Sequence, residues 1–324
     1  MRLIISILLF SLLGTSIARA TPISMGLGDA SKYNLITRGD ALLIDADSQG
    51  TIAIGGNATI NKYDVGAYTS GNTVLQVNGN LNVSGDANIK GDAIVKGQYN
   101  NVYESQGYEP IIHGGNLSDT GGIDIKATFD KLAQFSTALA DLTTNTTSRI
   151  SYTELFLTPQ RDEAYLNNLF VADIHVDDLN ALASINGKSF TNNDYVVFNV
   201  ASNKNVELDT FDVMSGLPNK QNLLFNFIDA ESISFDSGNI HGSILAPNAD
   251  FVFDKGLITG GVYVNSFTSN TGAQLNFEGG FLGEIPNPSL VTTVSEPSGV
   301  FILFIGALAL MVSRKKALTN AIAA

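Results

Sequence analysis

Gly79-Asn80-Leu81-Asn82-Val83-Ser84, Gly85-Asp86-Ala87-Asn88-Ile89-Lys90, Gly91-Asp92-Ala93-Ile94-Val95-Lys96 is the stretch that decides the fold. Glycine recurs at 79, 85, 91 and 97, every six residues. Each unit joins a Gly-Asn or Gly-Asp corner to two alternating apolar residues: Leu81/Val83, Ala87/Ile89 and Ala93/Val95. Alternation sends both members of a pair to one face of a short strand. Glycine gives the corner its backbone freedom. Strand and corner in strict alternation predict a stacked parallel β-coil, each strand one side of a rung. Gly50-Thr51-Ile52-Ala53-Ile54 and Gly56-Asn57-Ala58-Thr59-Ile60 carry the same pattern upstream.

A second repeat lies far downstream with a period of 18, three times six. Ile233-Ser234-Phe235-Asp236 aligns with Phe251-Val252-Phe253-Asp254, Gly238 with Gly256, Ile240 with Ile258, Gly242 with Gly260, Ile244 with Val262 and Ala246 with Val264. One full turn of a three-sided coil has this length, so the aligned apolar residues are expected to stack in columns inside it. Phe235 should lie on Phe253, and Ile244 on Val262.

Between the repeats the texture changes. Residues 98–123 are polar and read as a long loop. Asp124 to Thr143 reads as a helix, because Phe129, Leu132, Ala133, Ser136, Leu139 and Leu142 recur at three- and four-residue steps. Asp124 is its expected N-cap. Its apolar stripe is expected to pack on the coil, since an amphipathic helix usually buries that side on its own domain. Residues 151–200 return to short strands, ending in Val196-Val197-Phe198-Asn199-Val200, and Leu223-Leu224-Phe225-Asn226-Phe227 is a further buried strand.

Composition narrows the function. The 324-residue chain has a formal charge of -13, with 15% charged residues, 31 glycines and no cysteine. Arg2, Arg19, Arg314, Lys315 and Lys316 lie near the two ends, so the region between is more acidic still. Such a surface repels nucleic acid. Thiol nucleophiles, Cys-based zinc sites and disulfides are excluded outright.

Both ends read as address labels. Met1-Arg2, the apolar run Leu3 to Leu13 and Ala18-Arg19-Ala20 before Thr21 form a secretory signal peptide, with cleavage expected between Ala20 and Thr21. At the other end Glu296-Pro297 precedes the apolar run Gly299 to Val312 and the basic Arg314-Lys315-Lys316. That run is short for a bilayer span, which needs about 20 residues. It is expected to hold the chain in the inner membrane at least transiently. The implied organisation is a signal peptide (1–20), a solenoid domain (21–286), a linker (287–298), a hydrophobic sorting or anchor segment (299–316) and a tail (317–324).

Several segments resemble a known family. Asn34-Leu35-Ile36-Thr37-Arg38-Gly39-Asp40, Ile54-Gly55-Gly56-Asn57-Ala58, Phe225-Asn226-Phe227, Gly242-Ser243-Ile244-Leu245-Ala246-Pro247-Asn248-Ala249 and Phe281-Leu282-Gly283-Glu284-Ile285-Pro286 resemble the choice-of-anchor A domain. The tail resembles the PEP-CTERM sorting signal, with Ser295 where that signal has its first proline. The resemblance implies a bacterial surface or matrix protein, processed by inner-membrane sorting machinery, with no catalytic residues carried over.

Other motifs lack parts. Asp45-Ala46-Asp47-Ser48-Gln49-Gly50-Thr51-Ile52 opens like a calcium loop, but Gly56 stands where the closing glutamate belongs. Gly187-Lys188-Ser189 ends like a P-loop, but Leu182 replaces the required glycine. His113, His175 and His241 show no metal or catalytic spacing. His113-Gly114 and His241-Gly242 resemble a fragment of pectin-cleaving β-helix enzymes, without their acidic motifs.

The sequence thus predicts a mainly β protein: a parallel β-solenoid with one long flanking helix, no cofactor, no metal site and no enzymatic activity. Its expected role is structural or adhesive, contacting exopolysaccharide or another cell surface. Two alternatives stand beside it. One is a polysaccharide-acting enzyme on a β-helix. The other is an ice-binding protein, because a solenoid with a flanking helix is also the plan of a bacterial ice-binding family. Against ice, the 18-residue repeat is expected to expose His241/Thr259, Ser243/Gly261 and Leu245/Tyr263, which is no threonine column.

Overall fold

The computed structural model describes residues 24–69, 73–107, 111–161, 168–217 and 219–286. The expected cleavage site (Ala18, Ala20, Thr21) and sorting signal (Glu296, Pro297, Arg314, Lys315, Lys316) lie outside these residues. Among the described residues no helix is long and apolar enough to cross a membrane.

The chain enters through β1 (Ser24–Met25) and then coils. The first coils comprise β2 (Tyr33–Thr37), β3 (Ala41–Ser48), β4 (Thr51–Ile54), β5 (Ala58–Val65), β6 (Thr73–Val77), β7 (Leu81–Val83), β8 (Asp92–Val95) and β9 (Tyr99–Asn101). A single helical turn (Val102–Ser105) and β10 (Leu117–Ser118) follow, so the expected loop at 98–123 is partly ordered into the coil. The long helix α1 (Ile125–Ala140) comes next. Then come β11 (Thr146–Ser151), β12 (Glu154–Pro159), β13 (Leu169–His175), the short helix α2 (Val176–Asn180), β14 (Ser184–Asn186), β15 (Tyr195–Ala201) and β16 (Asn205–Ser215). The chain closes with β17 (Leu223–Asn226), β18 (Ser232–Ile240), β19 (Ser243–Phe253), β20 (Gly256–Ile258), β21 (Val262–Ser269), β22 (Ala273–Leu275) and β23 (Ile285–Pro286).

Among the described residues every strand pairing is parallel except β11 with β12 and β1 with β23. The predicted columns are present. Phe235 pairs with Phe253 and Ile244 with Val262. Leu81, Val83, Ala87, Ile89, Ala93 and Val95 are all buried. At the corners a side chain would not fit: a Cβ on Gly97 would meet the Gly79 carbonyl at 2.5 Å, and one on Gly79 the Gly56 carbonyl at 2.6 Å.

Spatial order departs from sequence order. β2 pairs with β4 on one side and with β21 on the other, Leu35 facing both Ile52 and Val262. The first coil therefore sits in the middle of the stack. One face runs β13-β15-β17-β19-β21-β2-β4-β6-β8-β10. The chain winds outward from the middle to β10, returns along α1, and winds back in from β13. Sixteen residues at about 1.5 Å make α1 about 24 Å long, five strand spacings of about 4.8 Å.

The return fixes the chemistry of that face. Its strands bury both sides: Leu35, Ile52 and Ile54 point into the coil, while Ile36, Ala53, Leu224, Leu245 and Tyr263 pack under Phe129, Leu132, Phe135 and Leu139 of α1. Strands buried on both faces read as continuous apolar runs rather than alternations. Asp124 caps α1 by accepting from the Ala127 N–H at 3.0 Å. A buried polar row ties helix to sheet. Asn226 Nδ2 donates to the Ser136 carbonyl (3.0 Å) and to Asn199 Oδ1 (2.9 Å), and Asn199 Nδ2 donates to the Leu139 carbonyl (2.9 Å).

At the junction of the two halves, Asn34 is fully buried. Its Nδ2 donates to the carbonyls of Gly260 (2.9 Å) and Asn276 (3.1 Å), and its Oδ1 accepts from the Gly50 N–H (3.2 Å). One side chain thus joins residues more than 200 positions apart. Ile285–Pro286, at the expected end of the domain, closes it as β23 against β1.

Candidate interaction surface

A three-sided coil has three outward sets of side chains. Of the three pairs expected to be exposed, Ser243/Gly261 and Leu245/Tyr263 belong to the helix-covered face, and in the third Thr259 is buried. Leu245 and Tyr263 are fully buried, and Ser243 Oγ accepts from the N–H groups of Gly261 (3.1 Å) and Phe281 (3.2 Å). Those two pairs therefore leave open whether an ordered column runs along the uncovered part of the coil.

The open face is built from the first halves of β16, β18, β3 and β5, the second halves of β19 and β21, and from β7 and β9. Its register aligns Glu207, Ser234, Val252, Thr268, Leu42, Thr59, Asn82 and Asn100 in one outward row. All eight are at least partly solvent-exposed. Adjacent members are one strand spacing apart, about 4.8 Å, so the row spans about 34 Å. Ser232, Asp250 and Ser266 form a parallel row two residues away, and Ile44 and Asn61 begin another on the opposite side.

Aromatic rings stacked rung on rung lie beneath this face. Phe235 stacks on Phe253 with centroids 5.1 Å apart and planes 4° off parallel, and Phe251 on Phe267 at 5.8 Å and 12°. A ladder at the corner holds the rungs in line. The N–H groups of Asn57, Asn80 and Gln98 donate to Asp40 Oδ1 (2.7 Å), Asn57 Oδ1 (2.9 Å) and Asn80 Oδ1 (2.8 Å). On the surface itself Asn100 Nδ2 donates to Asn82 Oδ1 at 3.1 Å, and Ser266 Oγ to Asp250 Oδ1 at 2.6 Å. The centre of the row carries short methyl- and hydroxyl-bearing groups, with amides at one end and carboxylates toward the other. Such a lattice can match a flat, repeating partner.

The third face is different. Gln274, Asp47, Asp64 and Asn88 follow one another along it, Gln274 Nε2 donating to Asp47 (3.1 Å) and Asn88 Nδ2 to Asp64 (2.7 Å). Partial burial, and then the neighbouring Asp64, push the Asp47 carboxyl above the usual carboxylate range. Asp45 and Asp47 of the calcium-like stretch thus stand on β3. Among the described residues no three His, Asp or Glu side chains come together as a metal site. The three histidines are scattered: His113 is exposed, His175 caps α2, and His241 lies at a corner 3.4 Å from Thr259 Oγ1. Gly187-Lys188-Ser189 follows β14 in a loop.

The row was missed in sequence because its members come from both halves of the chain. Part of its signal was present, since Ser234 aligns with Val252 in the 18-residue repeat.

Residues 26–277 match the family described as "Putative Ice-binding-like adhesive domain". No curated protein sequence matches the chain. Among solved structures, an ice-binding protein from the Antarctic ascomycete Antarctomyces psychrotrophicus is similar at 13% identity and a TM-score of 0.40, over 78% of this chain and 98% of that one. The DUF3494 domain of Shewanella frigidimarina ice-binding protein 1 is similar at 11% identity and a TM-score of 0.40, over 80% and 98%. The match over residues 26–277 covers most of the sequence, and the chain belongs to this family of ice-binding-like adhesive domains.

Proposed function

We propose that this protein is an exported, non-enzymatic adhesive domain that docks its open face on a flat repeating surface, and that ice is the surface it fits. The observation that carries the reading is the outward row Ser234-Val252-Thr268-Leu42-Thr59, one short side chain per rung on a flat sheet. Ice offers a repeating lattice of oxygen atoms, and methyl and hydroxyl groups on a fixed grid complement it without long side chains that lose rotamer freedom. Family membership supports adhesion of this kind. The choice-of-anchor A likeness of residues 25–286 and the PEP-CTERM-like tail support export and display at a surface. Cleavage after Ala20 and processing near Glu296-Pro297 are part of this proposal.

A matrix polysaccharide is the second reading. The amide end of the row favours it, because Asn82 and Asn100, with Asn61 in the adjoining row, present donors and acceptors suited to sugar hydroxyls.

Partition of purified protein into slowly growing ice tests the first reading. Wild type is expected to enrich in the ice, and Thr59→Tyr and Thr268→Tyr to be excluded while remaining folded. Folded wild type left wholly in the liquid would overturn the ice reading. Retention on matrix polysaccharide, lost in the same variants, would then support the second.

A further inference from the structure

The two ends of the stack are finished differently. At the β13 end, side chains cover the outer strand edges. Asn145 is fully buried there. It donates its N–H to the Val171 carbonyl (3.2 Å) and its Nδ2 to the Leu169 carbonyl (3.0 Å), and its Oδ1 accepts from the Val171 N–H (2.6 Å). Asn180 Nδ2 donates to the Glu207 carbonyl on the edge of β16 (2.7 Å).

At the other end the coil stops in mid-turn. After β10 the chain leaves for α1, so among the described residues no strand lies beyond β9 and no corner stacks on Gly97. The corner ladder ends there in an open acceptor. The N–H groups of Gly56, Gly79 and Gly97 donate in turn to the carbonyls of Gly39, Gly56 and Gly79, and no described N–H reaches the Gly97 carbonyl. Leu81 N–H donates to the Gln98 carbonyl (2.9 Å), so the next residue, Tyr99, turns its own N–H and C=O to the free side. Such an edge is a template for another strand. A recess of about 470 Å³ sits where the missing corner would lie, lined by Val95, Gly97, Tyr99, Leu117, Ser118 and Asp119.

Three observations identify the occupant as a second copy of this chain. The first is charge. Gly97, Gln98, Tyr99, Asn100, Leu117 and Ser118 are uncharged, on a chain with 31 acidic and 18 basic residues. Glu104 turns its carboxylate inward, accepting from Tyr99 Oη and the Ile111 N–H at 2.9 Å each. Asp119 is the one charged residue of the lining. Two acidic molecules can approach across such a patch and repel elsewhere. The second is the covered β13 end, which offers β9 no open edge. Head-to-tail growth is therefore closed, and the bare end is left to meet itself across a two-fold axis. The third is shape. The recess lies at the start of β9, and Val102, 55% exposed, lies just past its end. Antiparallel pairing of two β9 strands centred on Asn100 sets Val102 of each copy toward the recess of the other.

We propose that the β9 end of the stack is a homodimer interface, in which two β9 strands pair antiparallel about a two-fold axis at Asn100. The axis stands normal to the open face, so both open faces point the same way and the two outward rows continue as one of about 70 Å. The interface does not depend on whether ice or polysaccharide is the surface bound.

The chain has no cysteine, so a single introduced one reports the contact. Across the axis Asn100 faces its own copy at about 4.5–5.5 Å between Cα atoms, within disulfide reach. Asn82, one rung inside, is about 14 Å from its copy. Under mild oxidation of the full chain, Asn100→Cys is expected to form covalent dimer at least about tenfold faster than Asn82→Cys. Sedimentation of the wild-type full chain is expected to show a monomer–dimer equilibrium that Leu117→Glu weakens at least about tenfold, with the variant folded because Leu117 is 46% exposed. Equal cross-linking of the two cysteine variants would overturn the β9 pairing. A wild type that stays monomeric at all concentrations, or a dimer that Leu117→Glu leaves intact, would overturn the interface.

Discussion

Phe253 offers the most direct test of the stacked columns. Its ring is fully buried, parallel to Phe235 at 5.1 Å and edge-on to Phe251 at 6.4 Å. Truncating a buried phenylalanine to alanine costs about 3–5 kcal/mol, depending on how far the site collapses. Here it cannot collapse much, because hydrogen bonds between rungs fix the spacing on both sides. The loss of two ring–ring contacts adds to the cost. We therefore expect Phe253→Ala near the top of the range, about 4–5 kcal/mol. For a domain of this size that lowers Tm by about 10 °C or more.

Val252→Ala is the matched control. Val252 is the preceding residue on the same strand, but its side chain points outward and is 37% exposed. Its truncation should stay within about 0.5 kcal/mol. Urea unfolding with an unchanged m-value reads both variants. Equal effects, or a larger one at Val252, would refute the assignment of inward and outward sides, and with it the row on the open face. Phe253→Asp goes further. It buries an unpaired carboxylate, and no folded protein is expected.

Asn34→Ala should cost about 2–3 kcal/mol, because it strands the carbonyls of Gly260 and Asn276 and the N–H of Gly50; hydrogen exchange should rise first at β2 and β21, and a uniform rise would contradict the junction role. Asp194 and Asp47 should respond to pH with opposite sign. Burial raises the Asp194 carboxyl, but Arg161 at 2.6 Å and the Thr191 N–H together outweigh burial and hold it below the usual 3.8. Its contribution is thus present above that value and lost as the pH falls through the lowered one, so Asp194→Asn should destabilise at neutral pH and match wild type in strong acid. Asp47 is raised, so its ionisation opposes folding, and Asp47→Asn should stabilise at neutral pH with a gain that fades as the pH drops below the raised value. Melting each variant across pH 2–7 checks both signs, and parallel curves would contradict them.

Rung geometry was legible in sequence because it is local. Leu81/Tyr99 and Phe235/Phe253 pair one period apart, and a period of 18 encodes that directly. The helix was legible from its stripe and its Asp124 cap, although Phe135, which lies fully buried against the sheet, was not counted. The order of the coils was not legible. Leu35 meets Val262 through a pairing of ends that no local period records. The exposed side was misassigned for a related reason: periodicity tells which residues share a column, and it does not tell which of three outward columns a helix will cover.

That choice of covered face has consequences for adhesion. Because the first coil lies mid-stack, the chain must return past it, and α1 covers the face it returns along. Met25, Leu27, Ala30, Phe281 and Ile285 pack into the same apolar cluster as α1. β1 and β23 pair there, so the domain's entry and exit lie side by side. One face thus takes the helix and both ends of the domain, and its strands are apolar on both sides. The open face takes none of these. Its outward positions are released from packing, and short polar and methyl groups can occupy every rung without cost to the core. The sequence shows this split as two kinds of strand: continuous runs such as Leu223-Leu224-Phe225 under the helix, and alternations such as Ile233-Ser234-Phe235 where the face is open. A bulky substitution at Thr59 or Thr268 should therefore alter adhesion and leave folding intact, whereas one at Ala53 or Leu245, equally outward in register but beneath α1, should do the reverse.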